Sequence, residues 1–135
     1  MNRLPLALAL VFSFAAAPAA AAVACRVTYG GETRTIAASP VASPYGVGTT
    51  AIGSYFLFRV VLRQTPPDLA AVKIYTYADR EDGPTLIHQA SHPYPPPAAP
   101  GAAHGFTGLN FVYEPVRDGE LQYWCALEPA PEARQ

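Results

Sequence analysis

Proline and glycine cut this chain so often that its choice of fold is narrow. With 15 Pro and 10 Gly in 135 residues, no long stretch keeps apolar residues at i, i+3, i+4 and i+7, and no helix is predicted. The segments between the cuts alternate instead. From Ser54 to Gln64, Phe56, Phe58, Val60 and Leu62 fall on one side and Tyr55, Leu57, Arg59, Val61 and Arg63 on the other, which is the period of two of a strand with one apolar face. The first set is the expected core.

The same reading extends along the chain. Cys25–Tyr29 and Glu32–Ile36 alternate on either side of Gly30-Gly31, a dipeptide able to take positive φ twice, so an N-terminal hairpin is predicted. Residues 39–48 form a Ser/Pro/Gly loop, because Ser39-Pro40 and Ser43-Pro44 both disfavour helix. Thr65-Pro66-Pro67-Asp68 ends the long strand, and Ala71–Tyr77 resumes it with Val72 and Ile74 facing one way and Lys73, Tyr75 and Tyr77 the other. The charged run Asp79–Pro84 reads as a solvated hairpin connection. A shorter strand follows over 85–91, then a Pro/Ala/Gly segment over 93–105 in which Pro95-Pro96-Pro97 must be extended as polyproline II. Phe106–Glu114 alternates with Leu109, Phe111 and Tyr113 on one face, and Glu120–Leu127 gathers Leu121, Tyr123, Cys125 and Leu127. About seven short strands with frequent turns predict a single all-β domain, an antiparallel β-sandwich of immunoglobulin-like architecture, over 23–128. Residues 129–135 read as a frayed tail.

Tyr123-Trp124-Cys125 with Asp118 upstream resembles the Asp…Tyr-x-Cys end of the F strand in immunoglobulin-like domains. The resemblance covers that stretch alone. The cysteines are farther apart than in that pattern, no tryptophan follows Cys25 at the expected distance, Asp118 is one residue too far from Tyr123, and too little chain follows Cys125 for a final strand. It implies the sandwich and no activity, since a fold of this kind hosts many functions.

The N-terminus carries an address. Arg3, the apolar run Leu4–Phe14 and the alanine-rich stretch up to Ala22 make residues 1–22 a secretory signal peptide cleaved near Ala22. The apolar core is too short to span a bilayer, and no later stretch supplies a membrane-spanning segment. The mature protein is expected in the periplasm or outside the cell. Ala22-Val23-Ala24-Cys25 can also be read as a poor lipobox, with cleavage after Ala24, but alanine replaces the usual leucine and Cys125 would lose its partner. Two cysteines in an oxidising compartment are better read as one disulfide, Cys25–Cys125, tying the first strand to the last.

Chemistry is sparse. Nine basic against ten acidic residues, a net charge of −1, give no electrostatic basis for binding nucleic acid. His88, His92 and His104 are the candidate metal ligands, but His88 and His92, four apart in a strand, lie about 13 Å from each other. There is no nucleophile elbow, no phosphate loop opening a helix and no free thiol, so catalysis and a bound cofactor are not expected. The unusual supply is aromatic: Tyr55, Tyr75, Tyr77 and Trp124 fall on the non-core sides of their strands, near Arg59, Arg63, Lys73, Glu120 and Gln122, with Tyr45 and Tyr94 in the proline loops. Together they would make a platform for a protein or cell-envelope partner, unless the loops fold over them as a second small core. The expected function is a non-catalytic interaction module; the alternative is a small-ligand or metal carrier using the three histidines, which requires the imidazoles to converge.

Overall fold

A computed structural model describes residues 11–13 and 21–129. Most of the expected signal peptide (1–22) and the tail beyond Pro129 lie outside the described residues. The predicted first hairpin forms as β1 (Ala21–Tyr29) and β2 (Glu32–Ala38), with Tyr29 opposite Glu32. Gly30 and Gly31 sit at φ 61° and 80°, the pair of positive values that a two-residue turn matching strand twist requires. The remaining strands are β3 (Thr50–Ile52), β4 (Phe56–Arg63), β5 (Ala71–Arg80), β6 (Gly83–Pro93), β7 (Asn110–Glu114) and β8 (Gly119–Pro129). Short 3₁₀ turns occupy Pro44–Gly46 and Pro67–Leu69.

The strands form two four-stranded antiparallel sheets: a terminal sheet in the order β2-β1-β8-β7 and a central sheet in the order β3-β4-β5-β6. This is the expected sandwich. Its connectivity is not that of an immunoglobulin domain. Around the sandwich each strand follows its sequence neighbour, the chain changes sheet only from β2 to β3 and from β6 to β7, and β8 returns beside β1, so the path is an up-and-down meander. The eighth strand is β3, three residues in the stretch between the 39–48 loop and the long strand, too short for its alternation to show.

The core is the inner face the alternation marked. Phe56, Phe58, Val60 and Leu62 of β4 are buried, with Val72 and Ile74 of β5 and Val23, Val27, Leu121 and Tyr123 from the terminal sheet. Phe58 meets the Tyr123 ring edge-on at 5.3 Å, locking the sheets face to face; its truncation to Ala would cost about 3–5 kcal/mol. Cys25 and Cys125 are directly opposite each other in the β1–β8 ladder and form the disulfide. Pro84 and Pro93 lie in β6, an edge strand, where a missing N–H is tolerated.

One face is reversed from its hydrophobicity. In β7, Val112 and Glu114 point inward and are buried, whereas Phe111 and Tyr113, with Leu109 just before the strand, are exposed. The reason is ionic. The fully buried Glu114 carboxylate accepts from Arg80 at 3.0 Å, from the Arg117 side chain at 3.2 Å and from the backbone N–H groups of Val116 and Arg117. Arg117 also donates to the carbonyls of Tyr55 and Asp79 and stacks over the Tyr55 ring at 4.2 Å. This pins the β7–β8 turn to the central sheet, and each charge finds a partner, which burial of a carboxylate demands. Burial alone would raise the Glu114 pKa, but the donors from Arg80, Arg117 and Val116 outweigh it and hold the carboxyl at about 2.

Candidate functional site

In β5, and in β8 as far as Cys125, alternation separates outward from inward residues as expected, but a sandwich has two outward faces pointing away from each other. Tyr75 and Tyr77 belong to β5 in the central sheet, and Trp124 belongs to β8 in the terminal sheet. The expected four-residue platform of Tyr55, Tyr75, Tyr77 and Trp124 is therefore divided. Tyr75 and Tyr77 stack with ring centres 6.4 Å apart. Tyr55 is half-buried at the Glu114 lock, beneath Arg117. Trp124 stands on the opposite face, with the Arg26 guanidinium 5.0 Å from its ring and the His104 imidazole edge-on at 6.0 Å.

The histidines are also separated by environment. His88 exchanges a hydrogen bond of 2.6 Å with the Tyr123 hydroxyl between the sheets, and burial lowers its pKa while pushing Tyr123 up to about 12. His92, likewise lowered by burial, packs edge-on against Phe106 at 5.5 Å. His104 is on Trp124, outside the sandwich. Each imidazole thus has a different aromatic neighbour, and no group of three His, Cys, Asp or Glu side chains converges on a metal position among the described residues. A register shift between Thr76 and Tyr77 contributes to this: the bulge in the β5–β6 ladder turns both Ile87 and His88 toward the interior.

On the terminal sheet's outer face, Leu109, Phe111 and Tyr113 are 38%, 57% and 52% exposed. Phe111 pairs with Gln122 and Tyr113 with Glu120, so Phe111 and Trp124 are diagonal neighbours. The result is an aromatic row continued across β8 to the Arg26–Trp124 stack. Arg26 is held by Glu128 at 2.7 Å. Leu109, Phe111 and Tyr113 belong to no binding surface predicted from sequence, whereas Trp124 does; their alternate positions are visible there but read equally well as a core face.

On the central sheet the proline loop does what the second-core reading required, over the part of the face around Val61. Pro40 bridges to Leu62, Val41 N–H donates to the Leu62 carbonyl at 3.0 Å, and Arg59 donates to the carbonyls of Val47, at 2.8 Å, and Pro44. The Arg59 guanidinium lies 4.9 Å over Tyr75. This strap buries Val61, an outward-facing residue. Beside it a cleft of about 50 Å³ is lined by Pro44, Val61, Arg63, Ala71, Lys73 and Tyr75. A larger apolar groove of about 330 Å³ runs between Pro96–Ala99, Phe106 and Leu127.

The chain matches no family model, no curated protein and no solved structure. No helix among the described residues is long and apolar enough to cross a membrane.

Proposed function

We propose that this protein is a non-catalytic interaction module of the periplasm or the extracellular space, and that it binds a protein partner through the outer face of the terminal sheet. The observation that carries the reading is the exposed row Leu109, Phe111 and Tyr113 next to Trp124 and Arg26. Single exposed apolar residues are ordinary, but a contiguous aromatic row beside an arginine has the composition of an interface centre. The flanking Thr28, Glu120 and Gln122 supply a polar rim on the same face. Export is supported by the buried Cys25–Cys125 disulfide, which persists in oxidising compartments. The non-catalytic reading is supported by two titratable groups that are engaged in structure: Glu114 is held by two arginines and His88 by Tyr123.

The test is affinity capture from the native envelope extract with the mature domain and its Phe111→Ser/Tyr113→Ser variant, followed by titration of the recovered protein against both. Both positions are exposed, so the variant is expected to keep its melting temperature. A partner that binds the wild type and loses at least about tenfold in affinity for the variant supports the reading, given that truncating central interface aromatics costs about 2 kcal/mol or more. Equal binding by both proteins would refute it.

A further inference from the structure

We propose that the cleft on the opposite, central-sheet face binds the phosphate of an anionic phospholipid headgroup, seating the domain on a membrane surface. Arg63 is paired with Ala71 across the β4–β5 ladder, and Lys73 lies two residues on along the same face, so the two cations are diagonal neighbours about 7–8 Å apart. Both line the cleft. Among the described residues neither side chain has an ion pair or hydrogen bond, and the Arg63 Nε is buried without a partner. The third cation of the face, Arg59, is spent on the strap carbonyls of Pro44 and Val47. Two adjacent positive charges left uncompensated over an apolar floor, Val61, with Pro44 and Tyr75 as walls, favour an oxyanion between them.

What selects a lipid as the carrier is the surround. Tyr45, adjacent to Pro44, is 95% exposed, and Leu69, two residues before Ala71, is 55% exposed. An exposed tyrosine next in chain to one cleft residue and an exposed leucine two positions before another match the bilayer interface, where tyrosine partitions at headgroup depth and basic side chains meet anionic lipid. Asp68, in the turn with Leu69, is the opposing charge. The proposal is independent of the terminal-sheet contact, since the two faces point apart.

Vesicle co-sedimentation of the mature domain tests it, using phosphatidylcholine alone and phosphatidylcholine with 30% phosphatidylglycerol, at low salt. Binding to the anionic vesicles only is expected, falling about tenfold or more in Arg63→Gln/Lys73→Gln, at roughly one basic contact per residue removed. Tyr45→Ser/Leu69→Ser is expected to weaken it, and Asp68→Asn to strengthen it. None of these side chains belongs to the buried core, and thermal melts verify that the variants fold. Titration with inorganic phosphate separates the carrier: saturable binding of free phosphate with no vesicle binding would overturn the lipid assignment. Vesicle binding unchanged by the Arg63/Lys73 variant, or no binding to either probe, would overturn the site.

Discussion

Replacing both cysteines, Cys25→Ala/Cys125→Ala, perturbs the one covalent link between the first and last strands. The pair closes a loop of 100 residues. In the chain-entropy account such a cross-link withholds about 4.7 kcal/mol of conformational entropy from the unfolded chain at 25 °C. Loss of two sulfurs, each buried, adds a packing cost of about 1 kcal/mol per site. The expected loss, about 6–7 kcal/mol, rivals the whole stability of a small domain and lowers the melting temperature by about 25 °C. Urea unfolding followed by circular dichroism measures it, and the slope carries the mechanism. An unfolded chain freed of its largest loop exposes more surface, so the m-value must rise as the midpoint falls. A loss under about 1.5 kcal/mol with an unchanged m-value would refute the reasoning, because neither the entropy nor the compaction of the unfolded state would then reside in this bond.

The Glu114 pKa is depressed to about 2, so its contribution is complete above the ordinary carboxylate value near 4.5 and is lost as pH falls through about 2; Glu114→Gln should flatten that acid limb of a melting profile, and an unaltered limb would disprove the lock. His88 and His92 are lowered by burial, so the unfolded chain takes up protons first, and stability should fall as pH drops below about 6.5; His88→Gln/His92→Gln should remove this step, and persistence of the step would assign it elsewhere. A Cβ on Gly105 would meet the Cys125 carbonyl oxygen at 2.1 Å, at a φ of +58°, so Gly105→Ala should cost about 2 kcal/mol or more; a neutral effect in chemical denaturation would show that the 104–107 segment does not lie against β8. Val23 is fully buried between its β2 and β8 partners, so intact-mass analysis of the exported protein should find an N-terminus at Val23 or upstream of it; a chain beginning at Cys25 would have lost a core residue and would refute cleavage near Ala22.

Much of the fold was legible because alternation reports directly on burial. Phe56, Phe58, Val60 and Leu62 are core for the reason their spacing announced, and Gly30-Gly31 turned where only glycine turns cheaply. The legible part was local. Alternation says which residues of one strand share a side, but not which sheet the strand joins, and that is why Tyr75 and Trp124 seemed neighbours and are on opposite faces. In β7 the apolar count favoured Leu109, Phe111 and Tyr113 as core, yet Arg80, 34 positions upstream, reaches Glu114 and turns the strand over. Val61 is buried on an outer face because a loop 20 residues before it straps across, held by Arg59 to carbonyls that carry no side-chain signature. The Arg63–Lys73 cleft likewise depends on a cross-strand register set by the Pro66-Pro67 turn between them.

Because β8 comes back to β1, Ala21 and Pro129 face each other as ladder partners. The molecule is therefore a ring of strands in which the position of the break is arbitrary. A short linker from Pro129 to Ala21, with new ends opened between Gly30 and Gly31, would give a circular permutant with the same ladders throughout. The disulfide would survive the operation and change its worth. Cys125 and Cys25 would then be separated by four residues, the linker and four residues more, a loop of about a dozen, and the withheld entropy would drop from about 4.7 to about 3 kcal/mol. Identical atoms in an identical fold would stabilise it less, because the contribution of this bond is a property of the path the chain takes between its ends.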